Sequence, residues 1–155
     1  MKKLKAFTLI ELIIVIGLIS VMATLGFSMF YNAQKNSRDA KRKADLDTIR
    51  TALELFRTNN SYYPLPSDLD SKIPVELTEG EVKYLQSLPE DPYSSKPDTA
   101  KHVYQYQTIP FDCTELCNDY KLGALLEKST VSNCEGNIAC GKADCNYCVG
   151  PNGKL

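Results

Sequence analysis

Hydrophobic positions along this 155-residue chain follow three successive patterns. From Phe7 to Phe30 they are nearly continuous, and the 23 residues between Glu11 and Lys35 carry no formal charge. As a helix the 24 residues Phe7–Phe30 measure about 36 Å, at about 1.5 Å per residue, enough to cross a bilayer with some tilt. Farther on, Leu46, Ile49, Leu53 and Phe56 recur at helical spacing and mark one stripe facing a core. Ala33, Ala40 and Ala44 are expected to carry that stripe upstream. No Pro precedes Pro64, and the only Gly before it are Gly17 and Gly26. The pattern therefore predicts one continuous helix from about Phe7 to about Thr58, about 78 Å long. It should end near Asn59-Asn60, since Asn tolerates a left-handed exit and Pro64 and Pro66 follow.

Beyond Pro64 the pattern shortens. Asp91-Pro92 starts a turn, Val103-Tyr104-Gln105-Tyr106-Gln107 alternates as a half-buried strand does, and residues 120–127 form a second strand candidate. The fold class expected is α+β: a long N-terminal helix, transmembrane in its first half, packed on a small antiparallel sheet with a Cys-rich C-terminal loop region. One core of moderate size suits this length.

Charge divides the chain. Residues 1–50 sum to +5 and residues 51–155 to −6, so the net −1 averages two unlike halves. Lys2, Lys3 and Lys5 before the apolar run favour a cytoplasmic N-terminus, but Lys35, Arg38, Lys41, Arg42 and Lys43 make the other flank at least as basic. Charge counting leaves the topology open. The larger part is expected on the extracytoplasmic side, because long domains translocate largely regardless of charge and the six Cys lie there. The basic run itself reads as a solvated helix face beside lipid headgroups, interleaved with Asp39, Asp45 and Asp47 at ion-pair spacing. DNA contact is the alternative, but no aromatic residue lies between Lys35 and Phe56 to stack on a base, so no specific nucleic acid is expected.

Cys113, Cys117, Cys134, Cys140, Cys145 and Cys148 fall within 36 residues, and an even number in a loop-rich exported segment reads as a disulfide framework. Fifteen connectivities are open. The expectation adopted is that the Cys113/Cys117 pair bridges to the 134–148 group. Zinc is the competing reading, through Cys145-Asn146-Tyr147-Cys148 with Cys113 and Cys117, but one CxxC with irregular partners is a weak signal. Nothing points to an enzyme: there is no Gly-rich phosphate loop and no HExxH, and the single His, His102, reads as a surface residue at the start of a strand. No cofactor is expected.

Glu11 is the anomaly in the apolar run. A carboxylate in such a helix costs about 2.5–3.5 kcal/mol at mid-bilayer, less near an interface, so it calls for a partner. The string around it, Lys5-Ala6-Phe7-Thr8-Leu9-Ile10-Glu11-Leu12, resembles the processing motif of type IV pilins and type II secretion pseudopilins. The resemblance implies a leader, residues 1–6, cut between Ala6 and Phe7 by a prepilin peptidase that also methylates the Phe7 amine. It implies an assembly helix over 7–34 and an exported domain over 35–155. The family usually has Gly where this chain has Ala6, which is also small. Many members carry a Pro in the middle of the apolar half, where this chain reads Leu25-Gly26-Phe27-Ser28-Met29. Residues 45–64 are similar to the helix-to-loop junction of major pseudopilins, and 88–93 with 104–106 to their turn into a strand.

The function the resemblance implies is a structural subunit of a type II secretion pseudopilus, anchored in the inner membrane and then assembled into a helical filament. Its partners would be further copies, the peptidase, an inner-membrane assembly platform and the membrane itself. The rivals are an adhesive, motility or DNA-uptake pilin and an uncleaved membrane-anchored binding domain. Pseudopilins often bind calcium near the sheet, yet Asp112, Glu115, Asp119 and Asp144 do not map onto a full ligand set.

Overall fold

The computed structural model describes residues 7–65, 77–79, 82–95, 97, 102–110, 113, 116–136 and 138–154, without the side chains of 25, 26 and 28. Ala6, Asp112 and Glu115 lie outside the described residues. The chain divides into two compact units, Met1–Ser37 and Arg38–Leu155. Helix α1, Leu9–Asn60, supplies described residues of both.

Within the first unit the side chains of residues 9–24 are all exposed, as expected of a surface that is apolar all round. The helix is long and apolar enough to cross a membrane, and none of its most apolar window is buried.

The second unit is layered. β3 (Gln105–Ile109), β4 (Asp119–Ala124), β5 (Tyr147–Gly150) and β6 (Gly153–Lys154) form an antiparallel sheet in that order. Since side chains alternate across a strand, Tyr120, Leu122 and Ala124 of β4 share a face with Val149 of β5. They bury Leu46, Ile49, Ala52, Leu53 and Phe56 of the helix. Gly123 and Cys148, paired across the same strands, face the other way. There a second small core gathers Ile138, Cys140, Cys145 and Cys148 with Leu125 and Cys134. The sheet thus lies between the helix and the cysteine-rich tail. A separate hairpin, β1 (Leu77–Glu79) with β2 (Val82–Leu85), packs Tyr84 on Phe56 with ring centroids 5.2 Å apart.

Several expectations change here. The bridges are Cys113–Cys117, Cys134–Cys148 and Cys140–Cys145, so no bridge joins the first pair to the 134–148 group. The reason is topological. Cys117 is held beside Tyr63, whose amide N–H donates to its carbonyl at 2.8 Å, while the other four cysteines share the opposite face of the sheet. Cys145 and Cys148 belong to different bridges, so the CxxC is not a paired metal or redox motif. In a polymer-entropy picture, closing a loop of about 15 residues, close to that of Cys134–Cys148, is worth about 3 kcal/mol. Ala33, Ala40 and Ala44 are exposed; the buried positions upstream of Leu46 are the charged Arg42 and Asp39. The left-handed exit from α1 falls on Ser61 (φ 67°) and not on an Asn. The amides of Asn59 and Asn60 instead donate to the Tyr84 hydroxyl, at 3.0 and 3.4 Å. The second strand stops at Ala124, short of residue 127, because beyond it the chain is held by side chains. The Asn146 amide accepts from the Leu126 N–H at 2.7 Å and donates to the carbonyls of Leu126 (2.9 Å) and Ser129 (3.2 Å). Asn133 does the same for β5, donating to the Cys148 carbonyl and accepting from its N–H, both at 2.8 Å.

The bare backbone of Gly123 makes the second core possible: a Cβ there would lie 2.5 Å from the Cys145 sulfur. That sulfur is buried and disulfide-bonded, so it has no room to yield. Gly123→Ala is therefore expected to cost about 1–3 kcal/mol of stability by overpacking. Denaturant unfolding of the full chain in detergent checks this, and an unchanged midpoint would refute the tight packing.

Candidate assembly site and its ionic anchor

The first unit begins with a capping arrangement. Thr8 precedes the helix and its hydroxyl accepts from the Glu11 N–H at 3.3 Å. Glu11 reaches back, one carboxylate oxygen accepting from the Thr8 N–H (3.0 Å) and the Thr8 hydroxyl (2.9 Å). Thr8-Leu9-Ile10-Glu11 is thus a capping box, which satisfies amide groups that no helical turn can reach. The partner that Glu11 called for is, within one chain, its own N-cap. The T-x-x-E spacing carried that signal, which sequence reasoning passed over. Phe7, next to this box, is 90% exposed.

The second unit holds a charge cluster. Arg42 has no exposed surface. Its Nε and one terminal nitrogen donate to the two oxygens of Asp91 at 2.7 and 3.2 Å. The other terminal nitrogen donates to Asp39 at 2.8 Å and to Glu127 at 3.0 Å. The first terminal nitrogen also meets Nδ1 of His102 at 3.2 Å. An arginine offers five N–H donors, and five contacts take them up. Arg38 adds a two-pronged pair to Glu127 at 2.6 and 2.7 Å. The Asp39 carboxylate also receives the N–H groups of Glu127 and Lys128, at 2.9 and 3.0 Å. Tyr93 lies under both guanidiniums, 5.0 Å from that of Arg38 and 5.5 Å from that of Arg42, with the His102 ring edge-on to it at 5.3 Å.

This corrects two expectations. Arg38 and Arg42 are not a solvated face, since helical geometry turns both toward the domain, whereas Lys41 and Lys43 are exposed. His102 is not a plain surface residue but a half-buried member of the cluster. No local pattern announced this, because Asp91 and Glu127 lie 49 and 85 residues from Arg42.

Electrostatics follow the contacts. Burial by itself would loosen the Arg42 proton, but the hydrogen bonds and charge of Asp91, then Glu127 and Asp39, outweigh it and raise the pKa above that of an ordinary arginine. The hydrogen bond from Arg38, against a smaller opposing effect of burial and helped by Arg42, draws the Glu127 carboxyl down to about 2. Burial, then the positive charge of Arg42, pushes the His102 pKa down, partly offset by Asp91, Glu127 and Asp39. A second polar group lies farther along α1, where the Tyr63 and Tyr120 hydroxyls donate to Glu54 at 3.0 and 3.1 Å.

Among the described residues no group of three or more His, Cys, Asp or Glu is placed to hold a metal ion. Asp119 accepts the N–H of Tyr120 on its own strand, and Asp144 lies in the bridged turn opposite Ala139.

Against known proteins, residues 1–27 match the family described as the prokaryotic N-terminal methylation motif. The chain is homologous to type II secretion system core protein G. It is 26% identical to that protein of Escherichia coli over 100 residues, covering 60% of this chain and 69% of the relative. With that of Pseudomonas aeruginosa it shares 25% identity over 138 residues, covering 82% and 92%. That of Klebsiella pneumoniae is 26% identical over 102 residues, covering 61% and 73%. No solved structure matches the chain.

The depressed Glu127 pKa has a definite pH signature. A carboxyl whose folded pKa lies near 2, against an ordinary 4.5, contributes stability that is complete above about pH 4.5 and is lost as pH falls toward 2. Glu127→Gln is expected to lower stability at neutral pH and to flatten the acid limb between those values. Unfolding midpoints across that pH range test this, and an acid limb as steep in the variant would overturn it.

Proposed function

We propose that this chain is a prepilin that assembles into the filament of a type II secretion pseudopilus. The observation that carries the proposal is the Thr8–Glu11 box opening a helix whose apolar surface is wholly uncovered, within residues that match the N-terminal methylation motif. The homology to core protein G of type II secretion systems supports the choice of a secretion pseudopilus.

The mechanism follows from solvation. A cut between Ala6 and Phe7 removes Lys2, Lys3 and Lys5 and creates a cationic amine, then methylated, four positions before Glu11. In lipid an unpaired carboxylate and an unpaired amine are both costly. A neighbouring copy resolves both at once by bringing its Phe7 amine to this Glu11, a pairing strengthened by the low dielectric and fixed in axial register. The capping box holds the Glu11 carboxylate at the helix start until that exchange. The apolar helix, anchored in the inner membrane with residues 35–155 on the extracytoplasmic side, trades lipid for other helices as the assembly platform lifts each subunit. This reading assigns no catalysis and no cofactor to the chain; the disulfides fix the tail.

The decisive measurement is the mass of the protein extracted from its host. Loss of residues 1–6 plus one methyl group is expected, and an intact chain would leave an uncleaved anchor in its place. In a second measurement Glu11→Val should be cleaved normally yet yield few or no filaments by electron microscopy. Normal filaments from that variant would reject the amine–carboxylate pairing.

A further inference from the structure

His102 is the only histidine in the chain, and its contact with Arg42 fixes its chemistry. A guanidinium nitrogen has hydrogens to give and no lone pair to receive one. At 3.2 Å from such a nitrogen, Nδ1 of His102 must be the acceptor, so the ring is neutral and carries its proton on Nε2. The same Arg42 nitrogen already gives its other hydrogen to Asp91. Nδ1 is therefore the last acceptor of a guanidinium that has no exposed surface. A proton on Nδ1 turns that acceptor into a donor and sets two cations in contact. Apart from this, the ring meets Tyr93 edge-on, and Tyr104, two residues on, is fixed separately by its hydroxyl donating to Asp45 at 2.7 Å. His102 pairs with Gly141 in an isolated bridge, and the Val103 N–H donates to the Cys140 carbonyl at 3.2 Å. Gly141 opens the turn closed by the Cys140–Cys145 bridge, with φ +94° and Cys140 N–H donating to the Ala143 carbonyl at 2.9 Å.

We propose that His102 is an acid-operated release: one proton taken up at Nδ1 detaches the His102–Val103 segment from Arg42 and from the disulfide-closed turn at Gly141. The groups around the ring set the balance. From α1, Arg42 opposes the proton while Asp39 favours it; Asp91 and Glu127, on the two loops that meet the helix, also favour it. Tyr93 presents an uncharged ring edge-on. Burial and Arg42 prevail, and the pKa lies below the ordinary histidine value. The sign follows. The closed form is fully favoured above the ordinary histidine pKa of about 6.5 and loses ground as pH falls from there through the lower folded value. Across that window the opening constant rises by up to about tenfold per pH unit, and below it the rise stops. The release does not depend on the filament reading.

The test uses the full chain in detergent micelles with 15N-labelled histidine, where a single histidine gives one unambiguous pair of ring signals. Expected are an Nε2–H neutral tautomer at pH 7 and a titration midpoint below the ordinary value. The hydrogen-exchange protection factor of the Val103 amide should fall over the same interval. His102→Gln, whose amide oxygen accepts from Arg42 without titrating, should keep that protection constant. An Nδ1–H tautomer, a midpoint at or above the ordinary value, or the same acid loss in His102→Gln would each overturn the proposal. If His102→Gln does not fold, the tautomer and midpoint of the unaltered protein decide it.

Discussion

A guanidinium sealed from water organises the unit Arg38–Leu155. Removing the charge of Arg42 from solvent costs several kcal/mol, recovered only when every N–H finds an acceptor of good geometry. The acceptors come from Asp39 one turn away, from Asp91 and Glu127 on two loops, and from His102 beside the sheet. Apolar neighbours, Leu88 before Asp91 and Leu126 before Glu127, bring these loops to the domain, and the ion pairs fix where their carboxylates end. Hydrophobic contact between α1 and the sheet allows some sliding, since apolar contact is not directional. A forked pair at hydrogen-bond distance does not, and so the cluster fixes the loops along the helix while the Tyr120 hydroxyl, donating to Glu54, ties the sheet to it.

Much of the architecture was legible from local pattern. The long helix, the Leu46–Phe56 stripe, the turn at Asp91-Pro92 and strands near residues 105 and 120 follow from periods and turn chemistry, which act over a few residues. What escaped was non-local. Arg38 and Arg42 are indistinguishable in sequence from Lys41 and Lys43, and only the distant carboxylates that meet them turn two of the four inward. Small size misled at Ala33, Ala40 and Ala44: alanine is as comfortable in water as in a core, so its spacing says little about which side it faces. The cysteine pairing was equally hidden, because it depends on which face of the sheet each sulfur reaches. The Thr8–Glu11 box, by contrast, is local and readable from the T-x-x-E spacing.

The cysteines are better understood as core than as staples. With the helix covering one face of a short sheet, the other face would be left to loops with few apolar side chains. Two bridges, partly exposed only at Cys134, and Ile138 fill that space, and Gly123 admits the sulfur against bare backbone. Covalent closure and packing are here the same atoms, so losing a bridge also opens a hole. The first unit has the reverse character. Its apolar surface is complete but uncovered, and it needs lipid or other helices as its solvent.

The pairing of Asn133 with both main-chain groups of Cys148 bears on the free edge of the sheet. β6 is only two residues long, and beside it the β5 backbone would otherwise present an open ladder. A side-chain amide, shaped like a peptide unit, occupies that place. The sheet is thereby blunted where a foreign strand would zip on, so its edge offers no template for non-specific pairing.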